Sequence, residues 1–439
     1  MQLPKTRSKL EAELGMVYYS EERIPLAGRL RQTPEDFVVE EISPEGELVN
    51  LDLEALDRGS GGFTLAVLSK RSRDLMPVIS LLEKRLGARV GYAGIKDRVA
   101  LTSQLISVGR DPSSWDPPTD IPGVKIKVVG QSRYPVVPGD LLGNRFTITA
   151  RSIPPGSATE RALSPPDWIP NYFGHQRFGT SRPNTHRVGR LLLKGDFEGA
   201  VREFLASPYP SEPEDTRRAR IELRETWDLR RALISFPKSL HYERAVIRRL
   251  IDRPGDYEGA LSALPTELCR LFVNAYQSYL FNLALSHRLE TAGPFGVLEG
   301  DIVSPLDRSN LPSRPLLCTP SNREKLQRWV ASRRAVIMLQ VPGWRTRLSG
   351  PEGLVYGHLF EEDGLQQSSF RGVLGLHFEG TLRAAAVSPS GFTVLSRGQD
   401  ELNPGAEMVT VRFALPKGSF ATLVMREMMR PEDPAVAGF

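Results

Sequence analysis

The segment from Tyr92 to Val99 contains residue types suited to chemistry. Its carboxylate, Asp97, stands between two cations, Lys96 and Arg98. Neighbouring positive charges favour the ionised form of a carboxylate because they lower its pKa. An ionised carboxylate on a loop can act as a nucleophile or a general base. The segment therefore predicts a catalytic aspartate, and a salt-bridged surface turn is the simpler alternative.

Predicted elements on either side place Asp97 on a loop. Apolar residues recur at helical spacing from Asp74 to Gly87, with Asp74 suited to the N-cap and Gly87 to the C-cap. Residues Leu101 to Val108 form a strand-like run, and Phe37 to Ile42 is predicted as an earlier strand. Asp97 is thus expected between a helix and a strand that can fix its position.

The middle of the chain has a different pattern, helical and rich in arginine after Gly195. Its clearest helix is predicted from Glu267 to Arg288. The apolar face of that helix is expected to carry Leu271, Ala275, Tyr279 and Leu283.

Strand patterns return toward the C-terminus. Residues Leu382 to Val387 and Phe392 to Leu395 are predicted to form a hairpin, and Val409 to Leu415 alternates as a half-buried strand. A last helix is predicted from Phe420 to Met429, and residues Pro431 to Phe439 are expected to be frayed. Strands at both ends and helices in the middle favour an α+β domain interrupted by a large insertion.

Length and charge restrict the class of protein. A chain of 439 residues is too long for one core and predicts two or three domains. The net charge is +5, and most of the cations are arginine, whose planar guanidinium binds phosphate and stacks on bases. Arginines of the middle region could line a phosphate track or could pair with nearby acids on helix surfaces. They are Arg217, Arg218, Arg220, Arg230 and Arg231.

Several classes of protein are disfavoured by what the sequence lacks. Cys269 and Cys318 have no zinc-type spacing and form no disulfide framework, which fits a reducing cytoplasm. The six histidines include no metal-binding pair, so neither a metal nor another cofactor is expected. No apolar run reaches the ~20 residues of a membrane helix, and no signal peptide is evident.

Four further stretches place an aromatic residue beside polar or positive residues at a predicted turn. They are Arg31–Glu41, Gly143–Phe146, Pro170–Gly174 and Pro416–Thr422. Aromatic side chains at turns can stack on bases, and an asparagine can bind a base edge. Each stretch taken alone is also compatible with a packed turn aromatic.

Together, in this order and spacing, these stretches resemble the TruD family of pseudouridine synthases. The Pro-Asn-Tyr-Phe-Gly-x-Gln-Arg-Phe-Gly block of that family is the most specific match. The family's motifs match, in chain order, Pro34–Phe37, Gly94–Asp97, Pro170–Gly179, Gln277–Asn282 and Gly418–Thr422. The resemblance covers nearly the whole chain, and the long middle region is similar to that of archaeal and eukaryotic members.

The resemblance implies isomerisation of a uridine to pseudouridine in RNA, most typically at position 13 in the D arm of tRNA, without a cofactor. It also implies an α+β fold. A catalytic domain with a mixed or antiparallel sheet, residues 1–195 and 391–439, would be interrupted by an α/β insertion domain, residues 196–390. We therefore expect tRNA as the partner, a monomer, no membrane association and a cytoplasmic location.

The resemblance also assigns candidate site residues. Asp97 corresponds to the catalytic aspartate, and Arg31 to the basic residue that pairs with it. Family members often have lysine there, and arginine is not interchangeable with lysine where the geometry is tight. The expected contacts to the uridine are Phe37, Asn171 and Phe420, with Phe173 stacking or packing nearby.

The chemistry agrees with this assignment but leaves alternatives open. Asp97 could attack the anomeric carbon as a nucleophile or act as a base at the neighbouring carbon. The same enzyme could act on another uridine or another RNA, or the chain could bind RNA without catalysis. A hydrolase would need a second carboxylate, for which Glu40 or Glu41 is available, although both are expected on a strand surface.

Overall fold

A computed structural model of the protein describes residues 3–56, 58–110, 115–179 and 181–439. The α-helices in these residues are α1 Lys9–Glu13, α2 Leu75–Leu86, α3 Glu160–Leu163, α4 Thr185–Leu193, α5 Phe197–Ala206, α6 Glu214–Thr226, α7 Leu229–Ser235, α8 His241–Asp252, α9 Tyr257–Leu261, α10 Thr266–Thr291, α11 Arg323–Ala331, α12 Gly350–Asp363 and α13 Ala421–Met429. The strands are β1 Phe37–Ile42, β2 Leu48–Val49, β3 Phe63–Arg71, β4 Val90–Tyr92, β5 Leu101–Val108, β6 Val124–Ser132, β7 Gly143–Ile153, β8 Ile169–Pro170, β9 Ile302–Pro305, β10 Leu316–Leu317, β11 Ala335–Val341, β12 Arg371–Val373, β13 Leu376–His377, β14 Thr381–Ala384, β15 Ala386–Val387, β16 Ser390–Gln399 and β17 Glu407–Pro416.

A mixed sheet of nine described strands is the largest element of the fold. Its strand order is β16-β17-β7-β1-β5-β3-β6, with β2 beside β1 and β4 beside β5. Strands β1 and β5 are parallel, and the other pairs are antiparallel. The predicted α+β class with a mixed sheet is confirmed, as are the predicted strands β1 and β5.

Helix α2 covers one face of this sheet, as its apolar stripe predicts. Leu75, Ile79 and Leu82 belong to one buried cluster with residues of β3 and β5. The helix ends at Gly87, whose φ of 60° is left-handed and suits glycine. Asp74 is the N-cap residue, but its side chain makes no capping hydrogen bond.

A second, smaller sheet takes up part of the segment that was predicted as a C-terminal hairpin, and that prediction is wrong. Its four strands are ordered β10-β9-β11-β14. The segment from Leu382 to Val387 does not pair with the segment from Phe392 to Leu395. Instead β14 pairs with β11, β15 pairs with β8, and β16 pairs with β17. Alternating apolar residues identify a strand but not its partner, so the sequence pattern suggested the nearest one.

Helix α10 extends slightly beyond its predicted bounds, and its predicted apolar face is wrong in part. Leu271 is 39% exposed, and Tyr279 and Leu283 are only half-buried. The helix packs against α4, α12 and β11. Because neighbours surround it on several sides, no single apolar stripe describes its burial.

The last nine residues are packed, which contradicts the expectation of a frayed end. Ala437 and Phe439 are buried. The Leu30 N–H donates to the Ala437 carbonyl at 2.9 Å, and the Phe439 ring packs edge-on against His175 at 5.8 Å. Among the described residues, no helix is both long and apolar enough to cross a membrane.

A buried charge network joins the N-terminal segment to the last helix. Arg426 in α13 is 1% exposed and pairs with Glu11 at 2.9 Å and Glu427 at 3.5 Å. It also donates to the carbonyls of Met16 and Tyr18. Burial raises the pKa of Glu11, but the charge of Arg426 and other partners outweigh it and lower that pKa to about 2.

Replacing Arg426 should destabilise the fold strongly. Arg426→Leu leaves two carboxylates buried without their cation, so the free energy of unfolding should fall by about 3–5 kcal/mol. Arg217→Leu is the matched control, because Arg217 pairs with Glu214 on an exposed helix surface, and it should cost at most about 1 kcal/mol. Denaturant unfolding measures both values, and equal losses would show that the buried network contributes no more than a surface pair.

Candidate active site

The loop between β4 and β5 is anchored to three strands of the large sheet. Lys96 is buried and pairs with Glu41 of β1 at 2.8 Å, and its Nζ donates to Asn144 Oδ1 of β7 at 2.5 Å. Lys70 of β3 donates to the backbone carbonyl of Asp97 at 2.7 Å. Burial lowers the pKa of Lys70 to about 8, although the charge of Asp97 acts in the opposite direction. These contacts fix the backbone that carries Asp97.

Arg31 is the cation that faces Asp97. The sequence predicted that Lys96 and Arg98, the neighbours of Asp97 in the chain, would take that place. Lys96 is directed inward, and Arg98 lies 3.8 Å from Asp74 in an exposed position. The Arg31 Nη2 atom lies 3.7 Å from Asp97 Oδ1. The Asp97 side chain is 29% exposed, so its carboxylate stays accessible.

Arg31 itself is held by the aromatic start of β1 and by the end of the chain. Its guanidinium lies 4.0 Å from the centre of the Phe37 ring, and its Nη1 donates to the Gly438 carbonyl at 3.2 Å. Arg31 has a left-handed φ of 57°. A Cβ at Gly438 would lie 2.3 Å from the Leu30 carbonyl oxygen, so only glycine fits this approach. Burial lowers the pKa of Arg31, and the charge of Asp97 opposes that shift.

Gln176 completes a group of three side chains with Asp97 and Arg31. With its amide oriented to satisfy both neighbours, its nitrogen donates to Asp97 Oδ1 at 3.0 Å. Its oxygen accepts from Arg31 Nη1 at 3.2 Å and Nη2 at 3.0 Å. Gln176 lies on the short 3-10 turn His175–Arg177. The sequence analysis did not single it out, although it lies in the most specific block.

A second group forms around Arg383, a residue that no sequence signal identified. Its Nη2 donates to Asn171 Oδ1 at 2.8 Å, and its guanidinium lies 4.2 Å from the Phe173 ring centre and 5.2 Å from that of Phe420. Asn171 Nδ2 donates to the Ala384 carbonyl at 3.0 Å. The amide of Asn171 therefore retains one N–H and one oxygen lone pair for a ligand.

The two groups meet at the turn His175–Arg177. Gln176 contacts Asp97, and the next residue, Arg177, places its guanidinium 5.6 Å from the Phe173 ring centre. In the described part of the chain, no direct contact joins Asp97 to Phe173. Phe37 is expected from the sequence to contact the uridine, but its side chain is only 1% exposed in this structure. It packs against the Arg31 guanidinium and the Phe146 ring.

An open cleft of about 1090 Å³ adjoins the second group. It lies where β7 and β17 meet the segment 306–312 and the small sheet. Asn171, Phe173, Arg177, Arg383 and Phe420 belong to its wall. The volume is large enough for a nucleotide. Asp97 is not a lining residue. The turn His175–Arg177 connects it to the cleft, because Gln176 contacts Asp97 and Arg177 lies in the wall.

The carboxylates considered for a hydrolase are already committed to other partners. Glu41 is completely buried, which contradicts its expected place on a strand surface, and it pairs with Lys96. Burial raises the pKa of Glu41, although the charge of Lys96 acts in the opposite direction. Glu40 pairs with Arg145 at 2.7 Å. Among the described residues, no cluster of three or more histidine, cysteine or acidic side chains could hold a metal.

The arginines of the middle region mostly pair with nearby acids. Arg220 is 1% exposed and bonds Glu212 and Glu243, each at 2.8 Å, so the expectation that it lines a phosphate track is wrong. Arg217 pairs with Glu214 within α6. Arg231 similarly pairs with an acid of α6. A short sequence run cannot distinguish an exposed cation from one that folding buries against a carboxylate.

The chain is similar to known proteins over almost its full length. The chain is 35% identical to a protein of Methanosarcina mazei assigned as a tRNA pseudouridine synthase D, with 96% of this chain and 98% of that protein covered. It is 33% identical to a protein of Pyrobaculum neutrophilum with the same assignment, with 98% of each covered.

The fold is also similar to that of a known crystal structure. It is that of a Methanosarcina mazei protein assigned as tRNA pseudouridine synthase D (TruD), with a TM-score of 0.75, 33% identity and full coverage of both chains. The model of the family described as tRNA pseudouridine synthase D (TruD) matches residues 13–428. The chain therefore belongs to the TruD family of tRNA pseudouridine synthases.

Proposed function

We propose that this protein converts a uridine of tRNA to pseudouridine, with position 13 in the D arm as its target and Asp97 as its catalytic group. The observation that carries the proposal is the environment of Asp97. Its carboxylate is accessible, faces the Arg31 guanidinium at 3.7 Å and bonds the Gln176 amide at 3.0 Å. Membership of the TruD family supports the same reaction.

The reaction breaks the bond between the ribose C1′ and the uracil N1 and forms one between C1′ and the uracil C5. The C5 proton is lost and N1 gains a proton, so atoms and electrons balance without an oxidant or a metal. Asp97 starts the reaction either as a nucleophile at C1′ or as a base at C2′. In both routes Arg31 and Gln176 hold the carboxylate in one orientation, which lowers the cost of reaching the transition state.

The uracil must leave its stack before it reaches the carboxylate. Unstacking costs a few kcal/mol, which contacts with aromatic side chains can offset. Phe173 and Phe420 are the half-buried rings in the wall of the cleft. Asn171 keeps a donor and an acceptor free, as a base edge requires. We assign these residues to holding the detached uracil while it turns, with Phe37 supporting Arg31.

We also propose the domain division 1–195 with 391–439 and 196–390. Its support is that β17, near the end of the chain, pairs with β7 and so completes the sheet that the first strands begin. The proposal includes tRNA as the partner, a monomer and a cytoplasmic location. A non-catalytic RNA-binding protein would have no use for an accessible carboxylate held by two partners.

The proposed target can be tested with transcripts. Unmodified tRNA should gain pseudouridine at position 13, and a transcript with cytidine at that position should gain none. Mapping of pseudouridine in both transcripts after incubation with the protein gives the result. Modification at a different uridine would support the proposed reaction but contradict position 13 as the target.

Removing the charge of Asp97 should abolish turnover. Asp97→Asn keeps the shape of the side chain, so kcat should fall roughly 10³-fold or more because the carboxylate acts mainly in the transition state. The Kd for tRNA should change little. Asp74→Asn, which removes a carboxylate beside Arg98 of the same loop, is the control and should keep normal activity. Single-turnover rates within a few-fold of wild type for Asp97→Asn would exclude Asp97 as the catalyst.

Gln176 should act as a positioning residue. Gln176→Met keeps the length of the side chain and removes its bonds to Asp97 and Arg31. Because Gln176 is exposed and its bonds orient the carboxylate that acts in the transition state, kcat should fall roughly 10- to 100-fold while KM and the thermal midpoint stay near their wild-type values. Gln366→Met, at an exposed position, provides the control. A loss of thermal stability with normal kcat would assign Gln176 a structural role instead.

A further inference from the structure

Arg177 is a cation in the wall of the cleft that forms no ion pair with the described residues. Its side chain is only partly exposed. Within the described residues its guanidinium makes no hydrogen bond and no ion pair, and its closest recorded contact is the face of Phe173. Burial lowers the pKa of Arg177, and no carboxylate opposes that shift. None of its guanidinium donors is used by the residues that the structure describes, and we expect a ligand to accept from them.

A second cation, Arg383, lies behind it in the same wall. Arg383 is 9% exposed and faces no carboxylate among the described residues. Four of its five N–H donors bond oxygens of Asn171, Tyr172 and Gly418. Burial, together with the neighbouring charge of Arg177, lowers the pKa of Arg383 to about 9. Arg177 and Arg383 are thus neighbouring positive charges that repel each other.

Arg177 and Arg383 differ from the deeply buried arginines elsewhere because no carboxylate of the described residues pairs with them. The acid in the cleft wall, Asp307, accepts from the N–H groups of Ser309 and Leu311 instead. Arg220, Arg288 and Arg426 are each about 1% exposed, and each pairs with two carboxylates. A buried charge without a counter-ion is costly, and proteins normally supply the opposite charge. No carboxylate of the described residues pairs with Arg177 or Arg383, so the opposite charge is expected on the ligand.

We propose that Arg177 binds a phosphodiester of the target nucleotide, with the charge of Arg383 reinforcing it. This inference rests on the proposed function and adds a residue and a contact to it. A guanidinium matches two phosphate oxygens with a planar pair of donors. Arg177 also follows Gln176, which contacts Asp97. The proposed contact is with a phosphate next to the target ribose, when that ribose faces Asp97.

The assignment goes to Arg177 because four of the five N–H donors of Arg383 already bond other residues. Four hydrogen bonds from Arg383 hold Asn171, Tyr172 and Gly418 in place. Replacing Arg383 would disturb the wall itself. Arg177 can be replaced without breaking any hydrogen bond or ion pair of the described residues, which makes it the residue to test.

The experiment compares wild type, Arg177→Gln and Arg177→Lys on an unmodified tRNA transcript. Arg177→Gln should raise KM and Kd roughly 10-fold, keep kcat within about 3-fold and reduce the salt slope of binding by about one. Arg177→Lys should recover part of the affinity, because it keeps the charge and loses the planar fork. Arg217→Gln, whose cation is already paired within α6, should bind like wild type.

A neutral phosphate provides a test that needs no protein variant. Transcripts carrying a single methylphosphonate on the 5′ or the 3′ side of the target uridine lack one negative charge. At one of these positions, wild-type affinity should fall about as much as it does in Arg177→Gln. The same transcript should bind Arg177→Gln no more weakly than the unmodified transcript does, because the lost contact is shared.

Two results would overturn the assignment. Unchanged KM and salt slope in Arg177→Gln, together with full wild-type affinity for both methylphosphonate transcripts, would show that Arg177 binds no phosphate. A lower kcat with unchanged KM would place its charge on the detached uracil instead. The activity of the wild type on tRNA tests the proposed function separately, so failure of the two proposals can be told apart.

Discussion

The buried ion pair between Lys96 and Glu41 is the interaction on which the position of Asp97 depends. A lysine taken out of water needs a compensating charge, and Glu41 of β1 provides it at 2.8 Å. Because Lys96 is directed into the sheet, the next side chain, Asp97, is directed outward. The carbonyl of Asp97 accepts from Lys70, which holds the loop from β3. Lys96, the charged residue that precedes Asp97, thus anchors the loop.

The environment of the carboxylate is assembled from segments far apart in sequence. Arg31 precedes β1, and Gln176 lies on the turn after β8. Gly438, near the end of the chain, fixes the Arg31 guanidinium through its carbonyl. The buried network of Arg426 and Glu11 joins the same terminal regions. The contacts of Arg31 and Gln176 restrict the orientation of Asp97. A restricted orientation is the condition for a carboxylate that must act on one carbon of a flipped nucleotide.

The sequence predicted what local patterns determine. The bounds of β1, α2 and β5 follow from apolar periodicity and capping, and the loop that carries Asp97 follows from them. Partners across the fold could not be predicted, because periodicity describes one segment at a time. The inward direction of Lys96, the contact from Gly438 to Arg31 and the place of Arg383 beside Asn171 all depend on tertiary packing. The same limit explains the incorrect C-terminal hairpin and the buried Arg220.

The most direct measurement is the structure of the wild-type protein bound to tRNA that carries 5-fluorouridine at the target position. Fluorine replaces the proton that must leave C5, so the rearranged nucleotide should remain in the site. The account predicts a flipped ribose whose C1′ or C2′ lies about 3–3.5 Å from an Asp97 carboxylate oxygen, with Arg31 and Gln176 still bonded to that carboxylate. A target ribose bound against a different group, with no contact to Asp97, would contradict it.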